Sequence, residues 1–248
     1  MELSRRLQAL ADMVTPGNRV ADIGCDHGFV SIYLYEKQIA PKVYAMDVRK
    51  GPLCRAKEHI AAHGLTEYIE TRLSDGLDAL NDGEADALIC AGMGGRLMAR
   101  ILLQGLSKAV KMRELILQPQ SELLFFRQFL REHCMVITEE RLVKEDGKFY
   151  PMMRVIPNGD ETGYPLFDGN GLLTAEEAGR VSDRYGALLL WQKHPLMQDY
   201  LMLLLNRNKG ILSSLPENGQ EERRAEIKQE ISDMEKCLLW LTDKGESL

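Results

Sequence analysis

The residues best suited to chemistry lie early in the chain, in the run VADIGCDHG from Val20 to Gly28. Glycines at positions 24 and 28 let the backbone approach a ligand closely, and a helix beginning after them offers unpaired N–H groups. A dinucleotide site would carry Gly-x-Gly-x-x-Gly, so that the backbone can reach a pyrophosphate. Here the second glycine position holds Asp26. A carboxylate repels phosphate and attracts a cation, and Asp22, two residues before Gly24, adds a second. The ligand that fits is S-adenosylmethionine, whose amino group and sulfonium are both positive, with Cys25 and His27 in the same turn expected to contact it.

Three later positions continue the pattern. Asp47, 25 residues after Asp22, ends the run KVYAMD, where a carboxylate can accept both hydroxyls of an adenosine ribose, and Val48 follows it. Ser74, Asp75 and Gly76 come after the next strand-like run, where a carboxylate can receive the adenine amino group. Ala91, Gly92 and Met93 close the fourth run, beside the expected place of the methyl group, in a loop whose glycines at 92, 94 and 95 leave room. Each signal alone is a common turn; in order, each at the carboxyl end of a strand, they make one site. The loop lacks the Asp/Asn-Pro-Pro-Tyr/Phe run that draws methylation to an exocyclic nitrogen.

Other chemistry is thin. His59 and His63 share a helix face, but with no third ligand in view a metal is not expected. No Ser/His/Asp order or Walker motif occurs. The five cysteines, at 25, 54, 90, 134 and 237, are odd in number and lack CxxC spacing, as in reduced thiols of a cytoplasmic protein.

The elements that must position these residues alternate. RVADIG, KVYAMDV, YIETRLS, ADALICA and RELILQP read as strands, with FVSIYLYEKQ and PLCRAKEHIAAHG as helices between them, so the units are parallel βαβ. The fourth strand is expected to end at Ala91-Gly92, and Ser121 to cap a helix over SELLFFRQFLREH. MVITEERLVKEDGKFYPMMRVIP reads as a hairpin turning at Asp146-Gly147. A mainly parallel sheet closed by an antiparallel hairpin is the plan of class I methyltransferases. The opening run MELSRRLQALADMV reads as an amphipathic helix, with Leu3, Leu7, Leu10 and Val14 on its apolar stripe.

A glycine- and acid-rich stretch after Pro157 separates this α/β domain, 1–167, from a helical domain, 168–248. There Thr174 and Glu177 have the spacing of a capping box, and 198–212 and 221–241 read as two helices joined through LPENG. Ile227, Ile231, Met234, Leu238 and Leu241 form a coiled-coil seam, so the pair is expected to be an antiparallel hairpin, closed within one chain or between two. A monomer or weak dimer is expected.

The chain has 248 residues, 45% of them hydrophobic and 27% charged, which excludes a disordered or collagen-like chain. Its 31 basic and 37 acidic side chains leave a net charge of −6, against indiscriminate coating of nucleic acid. No apolar run approaches the roughly 18 residues needed to span a bilayer, and the opening has no export signal, so no membrane association and a cytoplasmic location are expected. Local basic faces remain. Between Asp86 and Glu114 every charge is positive (Arg96, Arg100, Lys108, Lys111, Arg113), and Arg49, Lys50, Arg55 and Lys57 follow Asp47. Both clusters are expected at the carboxyl edge of the sheet, gripping phosphates of an RNA. From Asp168 onward the chain carries ten basic and fourteen acidic residues. Arg180, Arg184, Lys193, Arg207 and Lys209 are the cations by which that part could touch RNA.

ADIGCDHG, DALICAGMGGRLMARIL, LILQP with FRQFL, and EDGKFYPMMRV together resemble the bacterial tRNA (adenine-22) N1-methyltransferase family, the TrmK type. The likeness includes Asp26 in place of glycine; Pro151 is less typical and bears on the shape of the last strand. The resemblance implies S-adenosylmethionine as cofactor, tRNA as partner, methyl transfer to N1 of an adenine, and a helical coiled-coil domain that assists tRNA binding. N1 carries its own lone pair, so no strong base is needed, and a carboxylate near the base can stabilise the charge that develops. Asp26 is expected in that catalytic role; the competing reading has it hold the methionine amino group. Two other functions fit the residues: a methyltransferase for a small molecule, and a non-catalytic tRNA-binding scaffold with a donor pocket.

Overall fold

The computed structural model describes residues 1–159, 165–216 and 220–243. The chain forms two compact units, Met1–Tyr164 and Pro165–Leu248. The first holds a seven-stranded sheet in the order β3-β2-β1-β4-β5-β7-β6. Its parallel strands are β1 (Val20–Ile23), β2 (Val43–Asp47), β3 (Ile69–Leu73), β4 (Ala87–Gly94) and β5 (Glu114–Ser121). Every residue of β1 and β2 is buried, as expected of strands covered on both faces. Among the helices are α1 (Arg5–Ala11), α2 (Phe29–Glu36), α3 (Lys50–Ala62), α4 (Gly95–Gln104), α5 (Leu106–Ala109) and α6 (Leu123–Glu132).

The chain passes from β3 at one edge back to β4 on the far side of β1, so the strand order reverses between β1 and β4. In such sheets a crevice opens there, outside the carboxyl ends of the strands. The last two strands, β6 (Val136–Glu145) and β7 (Lys148–Ile156), are antiparallel and turn at Asp146 (φ 48°) and Gly147 (φ 73°), as the Asp-Gly signal requires. Pro151 lies in β7 opposite Leu142, beyond the three residues that pair with β5, so its missing N–H breaks no bond on that side.

Two boundaries differ from expectation. β4 does not stop at Ala91-Gly92 but runs to Gly94, bulging at Gly92 (φ 77°) and resuming its pairing at Met93↔Pro119 and Gly94↔Ser121. β5 is lengthened to match, so Ser121 ends a strand instead of capping a helix. Glu122 takes the position before α6 with φ 58° and no capping bond of its own. Its carboxylate instead accepts from the Arg96 backbone N–H at 3.2 Å and from Arg96 Nε at 2.6 Å, serving the first turn of α4.

The second unit contains α7 (Ala175–Tyr185), α8 (Ala187–Trp191), α9 (Met197–Ser214) and α10 (Glu221–Thr242). Thr174 and Glu177 form the expected capping box. Phe167 is buried in this unit, edge-on to Trp191 and Trp240 at 5.0 and 5.6 Å. α9 and α10 pack antiparallel: Arg224, early in α10, donates to the Leu215 carbonyl, and Asn208 reaches Glu230. Ile227 and Met234 of the seam are buried. Residues 160–164 of the linker stretch and 217–219 of LPENG lie outside the described residues.

The cations named for this unit are largely engaged within it. Arg180 makes two bonds to buried Asp233, at 2.7 and 3.0 Å. Arg184 pairs with Glu230, Lys209 with Glu235, and Lys193 donates to the Asp243 carbonyl over the Trp240 ring.

Candidate active site

From Ile23 the chain turns through Gly24 (φ 73°), Asp26 (φ 48°) and Gly28 (φ 75°) into α2. The Gly24 and Cys25 N–H groups both donate to the Met46 carbonyl, and the Gly28 N–H to the Cys25 carbonyl. Aspartate tolerates the left-handed region better than most side chains, so the turn survives without a second glycine. At Gly24 a Cβ would lie 2.3 Å from Met93 Cε, so any side chain there would displace the end of that methionine.

Two carboxylates sit under this turn. Asp22 and Asp47 are each 4% exposed. Burial raises Asp22 from the ordinary 3.8 to about 6; the Ser31 hydroxyl, donating at 2.6 Å, opposes the shift, and the Asp47 charge adds to it. A buried anion held this way gains most from a cation brought by a ligand. Asp47 Oδ1 accepts the Arg49 backbone N–H at 2.8 Å. Burial pushes the Cys90 thiol up to about 12 and raises Cys25 as well, so neither is a thiolate nucleophile at neutral pH.

The strand ends enclose a cleft of about 570 Å³. Asp22, Gly24, Cys25, Asp26, His27, Asp47, Val48, Ser74, Asp75, Gly76, Ala91, Gly92 and Met93 all line it, so segments from four strands meet as the spacing predicts; Gly28 does not, its Cα facing Ala56. The Ser74 hydroxyl is taken up within its own turn, donating to the Gly76 carbonyl and accepting from the Ala79 N–H. The Asp26 carboxylate faces Arg55 of α3 and His27, each at 3.8 Å. His59 Nδ1 meets the His27 carbonyl and His63 meets Glu36, so the two histidines serve different partners. No group that could hold a metal ion occurs among the described residues.

The cationic residues divide. Arg49 and Arg100 line the cleft, Arg100 lying 3.5 Å from Asp75, while Arg55 stands close by through Asp26, and Arg96, next in the chain to the lining residue Leu97, pairs with Glu122. Lys50 opens α3 just after Arg49. Lys108 and Lys111 lie elsewhere: α4 carries the chain away from the carboxyl edge, and 110–113 feed the start of β5. Lys108 donates to the Leu77 and Asp78 carbonyls, and Lys111 pairs with Asp82. Expecting them at the carboxyl edge overlooked that a helix after β4 must run antiparallel to it.

Sequence reasoning missed the opposite wall. Arg6, Leu7 and Leu10 of α1 and Gln120 of β5 also line the cleft, with Phe29, Val30, Leu97 and Ile101. The amphipathic stripe of α1 was the available signal, but only tertiary packing shows what it covers.

A methyltransferase-domain family model matches residues 3–153. The chain is 31% identical to the tRNA (adenine(22)-N(1))-methyltransferase of Bacillus subtilis over 245 residues, covering 99% of each chain. The chain belongs to this methyltransferase family. The crystal structure of the B. subtilis m1A22 tRNA methyltransferase TrmK matches with TM-score 0.82 and 28% identity, covering 96% of this chain and 99% of that one. Streptococcus pneumoniae Sp1610, solved with S-adenosyl-L-methionine, matches with TM-score 0.82 and 29% identity over 96% of this chain and all of the other. The residues of this methyltransferase's cleft fit that donor: buried carboxylates for its positive charges, and exposed Val48 and Leu97 as apolar walls. No described helix is long and apolar enough to cross a membrane.

Proposed function

We propose that this enzyme transfers the methyl group of S-adenosylmethionine to N1 of adenine 22 in tRNA, in the cytoplasm. The observation that carries the reading is the end-to-end match to the B. subtilis enzyme, helical unit included, in a chain whose cleft is acidic where a cationic donor must lie. The reaction is a direct displacement. The N1 lone pair attacks the methyl carbon as the carbon–sulfur bond breaks; the sulfur leaves as a neutral thioether and the base takes the positive charge. The protein aligns donor and acceptor and excludes water.

Donor placement follows from strand order. Asp75 after β3 is suited to the adenine, Asp47 after β2 to the ribose hydroxyls, and the turn after β1 to the methionine part, which directs the methyl group toward β4 and β5. Because Asp26 lies in the turn after β1, where the methionine part is placed, and faces Arg55 of α3, the reading in which it holds the methionine amino group is the better supported of its two roles. Arg49, Lys50, Arg55, Arg96 and Arg100 are suited to tRNA phosphates. N1 lies on the Watson–Crick edge, so the target adenine must be unpaired or splayed out. The helical unit, with most of its named cations paired internally, assists tRNA binding through a limited face.

The test is to incubate the purified protein with labelled S-adenosylmethionine and unmodified tRNA, then digest and identify the labelled nucleoside. Label in N1-methyladenosine, lost from a transcript with guanine at position 22, is expected. No label in any nucleoside despite measured donor binding overturns the reading in favour of a small-molecule acceptor.

A further inference from the structure

With the donor laid from β3 toward β1, the acceptor must enter from the side of β4 and β5. The wall there is polar in a specific way. Gly92 bulges out of the β4–β5 ladder, and a Cβ placed on it would lie 3.7 Å from Gln120 Nε2 and 3.9 Å from an Arg6 guanidinium nitrogen, so these two side chains converge on the bulge. Both line the cleft, together with the apolar Leu7 and Leu10.

The neighbouring Gln118 fixes this arrangement. It is fully buried, and its Oε1 accepts from Arg6 at 2.9 Å. A guanidinium only donates, so the Gln118 amide cannot be reversed. Its Nε2 is thereby left buried with no hydrogen-bond partner, an unspent donor behind the residues that line the acceptor side. Arg6 is further held over the Tyr150 ring and by Glu145, 4.0 Å from its Nε. The Glu145 charge offsets that of Arg6 beside a base that becomes cationic. Gln120, by contrast, is exposed and lines the cleft.

We propose that Gln120, placed beside Arg6 and Gln118 at the Gly92 bulge, is the residue that selects adenine, its amide accepting from N6–H and donating to N7 while N1 faces the methyl group. A glutamine amide matches adenine N6 and N7 bidentately, whereas guanine offers an acceptor at O6 and a protonated N1. Arg6 and Gln118 are positioning residues that hold this wall. The inference rests on the tRNA adenine reading above.

The experiment combines Gln120→Leu with a tRNA carrying 7-deazaadenosine at position 22, which keeps N1 and N6 but removes the N7 acceptor. With unmodified transcript, Gln120→Leu should lower kcat/KM by about tenfold or more, within the range a bidentate glutamine–adenine pair commands. The calorimetric Kd for S-adenosylhomocysteine should stay unchanged. The 7-deaza transcript should cost the wild-type enzyme about five- to tenfold and cost Gln120→Leu at most about twofold, because the partner of N7 is already gone. Equal losses on the 7-deaza transcript in both enzymes, no loss in the wild type, or weakened S-adenosylhomocysteine binding in the variant each overturn the proposal. Absence of N1-methyladenosine from unmodified transcript with the wild-type enzyme overturns the underlying reading, and the proposal with it.

Discussion

Replacing Asp22 by asparagine should move stability and donor affinity in opposite directions. Burial raises this carboxyl from 3.8 to about 6. A raised carboxyl favours the folded state fully below the lower value, and that contribution disappears as pH climbs through the upper one. Above about pH 6 the ligand-free protein therefore carries an ionised, desolvated Asp22 at a cost of roughly 3 kcal/mol. Asparagine keeps an acceptor for the Ser31 hydroxyl and removes the charge, so Asp22→Asn should be more stable than wild type near neutral pH by up to about that amount. Donor binding should respond inversely. With Asp22 titrating at about 6, wild-type affinity for S-adenosylmethionine should fall about tenfold between neutral pH and one unit below that value. The variant should bind at least about tenfold more weakly near neutral pH and lose this pH dependence. Urea unfolding without ligand and calorimetric titration across that range measure both. A variant no more stable than wild type, whose donor affinity keeps the same pH slope, would refute the claim that Asp22 is a strained anion awaiting a cation.

Asp26→Asn should weaken donor binding with little change in the single-turnover rate at saturating donor; a collapse in rate with unchanged affinity would restore its catalytic reading. Gly24→Ala should lower stability by about 1–2 kcal/mol, since the substitution forces a left-handed alanine and displaces the Met93 methyl group, with urea unfolding as the check. Arg49→Ala should reduce the salt dependence of tRNA binding by about one unit of slope while Lys111→Ala leaves it unchanged; equal effects would mean that RNA also reaches the amino side of the sheet. In the second unit, Asp233→Ala should cost about 1–3 kcal/mol by removing the buried acceptor of Arg180, seen as an early loss of helical circular dichroism.

Much of the donor half was legible because its signals are local. Asp22, Asp47 and Asp75 each follow from a short run in which a strand gives way to a turn, and parallel βαβ connections bring all such turns to one edge whatever the details of packing. The Asp-Gly hairpin and the Thr174–Glu177 capping box were equally readable, since their bonds close within four residues. The boundary at Ser121 was not. A serine before an apolar helical run is a sound cap signal, but pairing with the bulged end of β4 outweighs it and hands the capping role to Glu122, which acts on a different helix.

Residue types and their order thus determined the fold, the cationic donor and the edge where they meet. The tertiary structure decided what no window of sequence contains: which cations face the cleft, which are spent in pairs such as Arg180–Asp233, and which side chains build the acceptor wall. Lys108 and Lys111 belong to the same run of positive charge as Arg96 and Arg100, yet the direction of α4 carries them from the cleft. Arg6 and Gln118 lie 112 positions apart and meet at 2.9 Å only because α1 packs against β6 and α2, which brings Arg6 within reach of β5. Charge and hydrogen-bonding capacity belong to the residue, but the groups that share a ligand are chosen by long-range packing, in which separation along the chain carries no information.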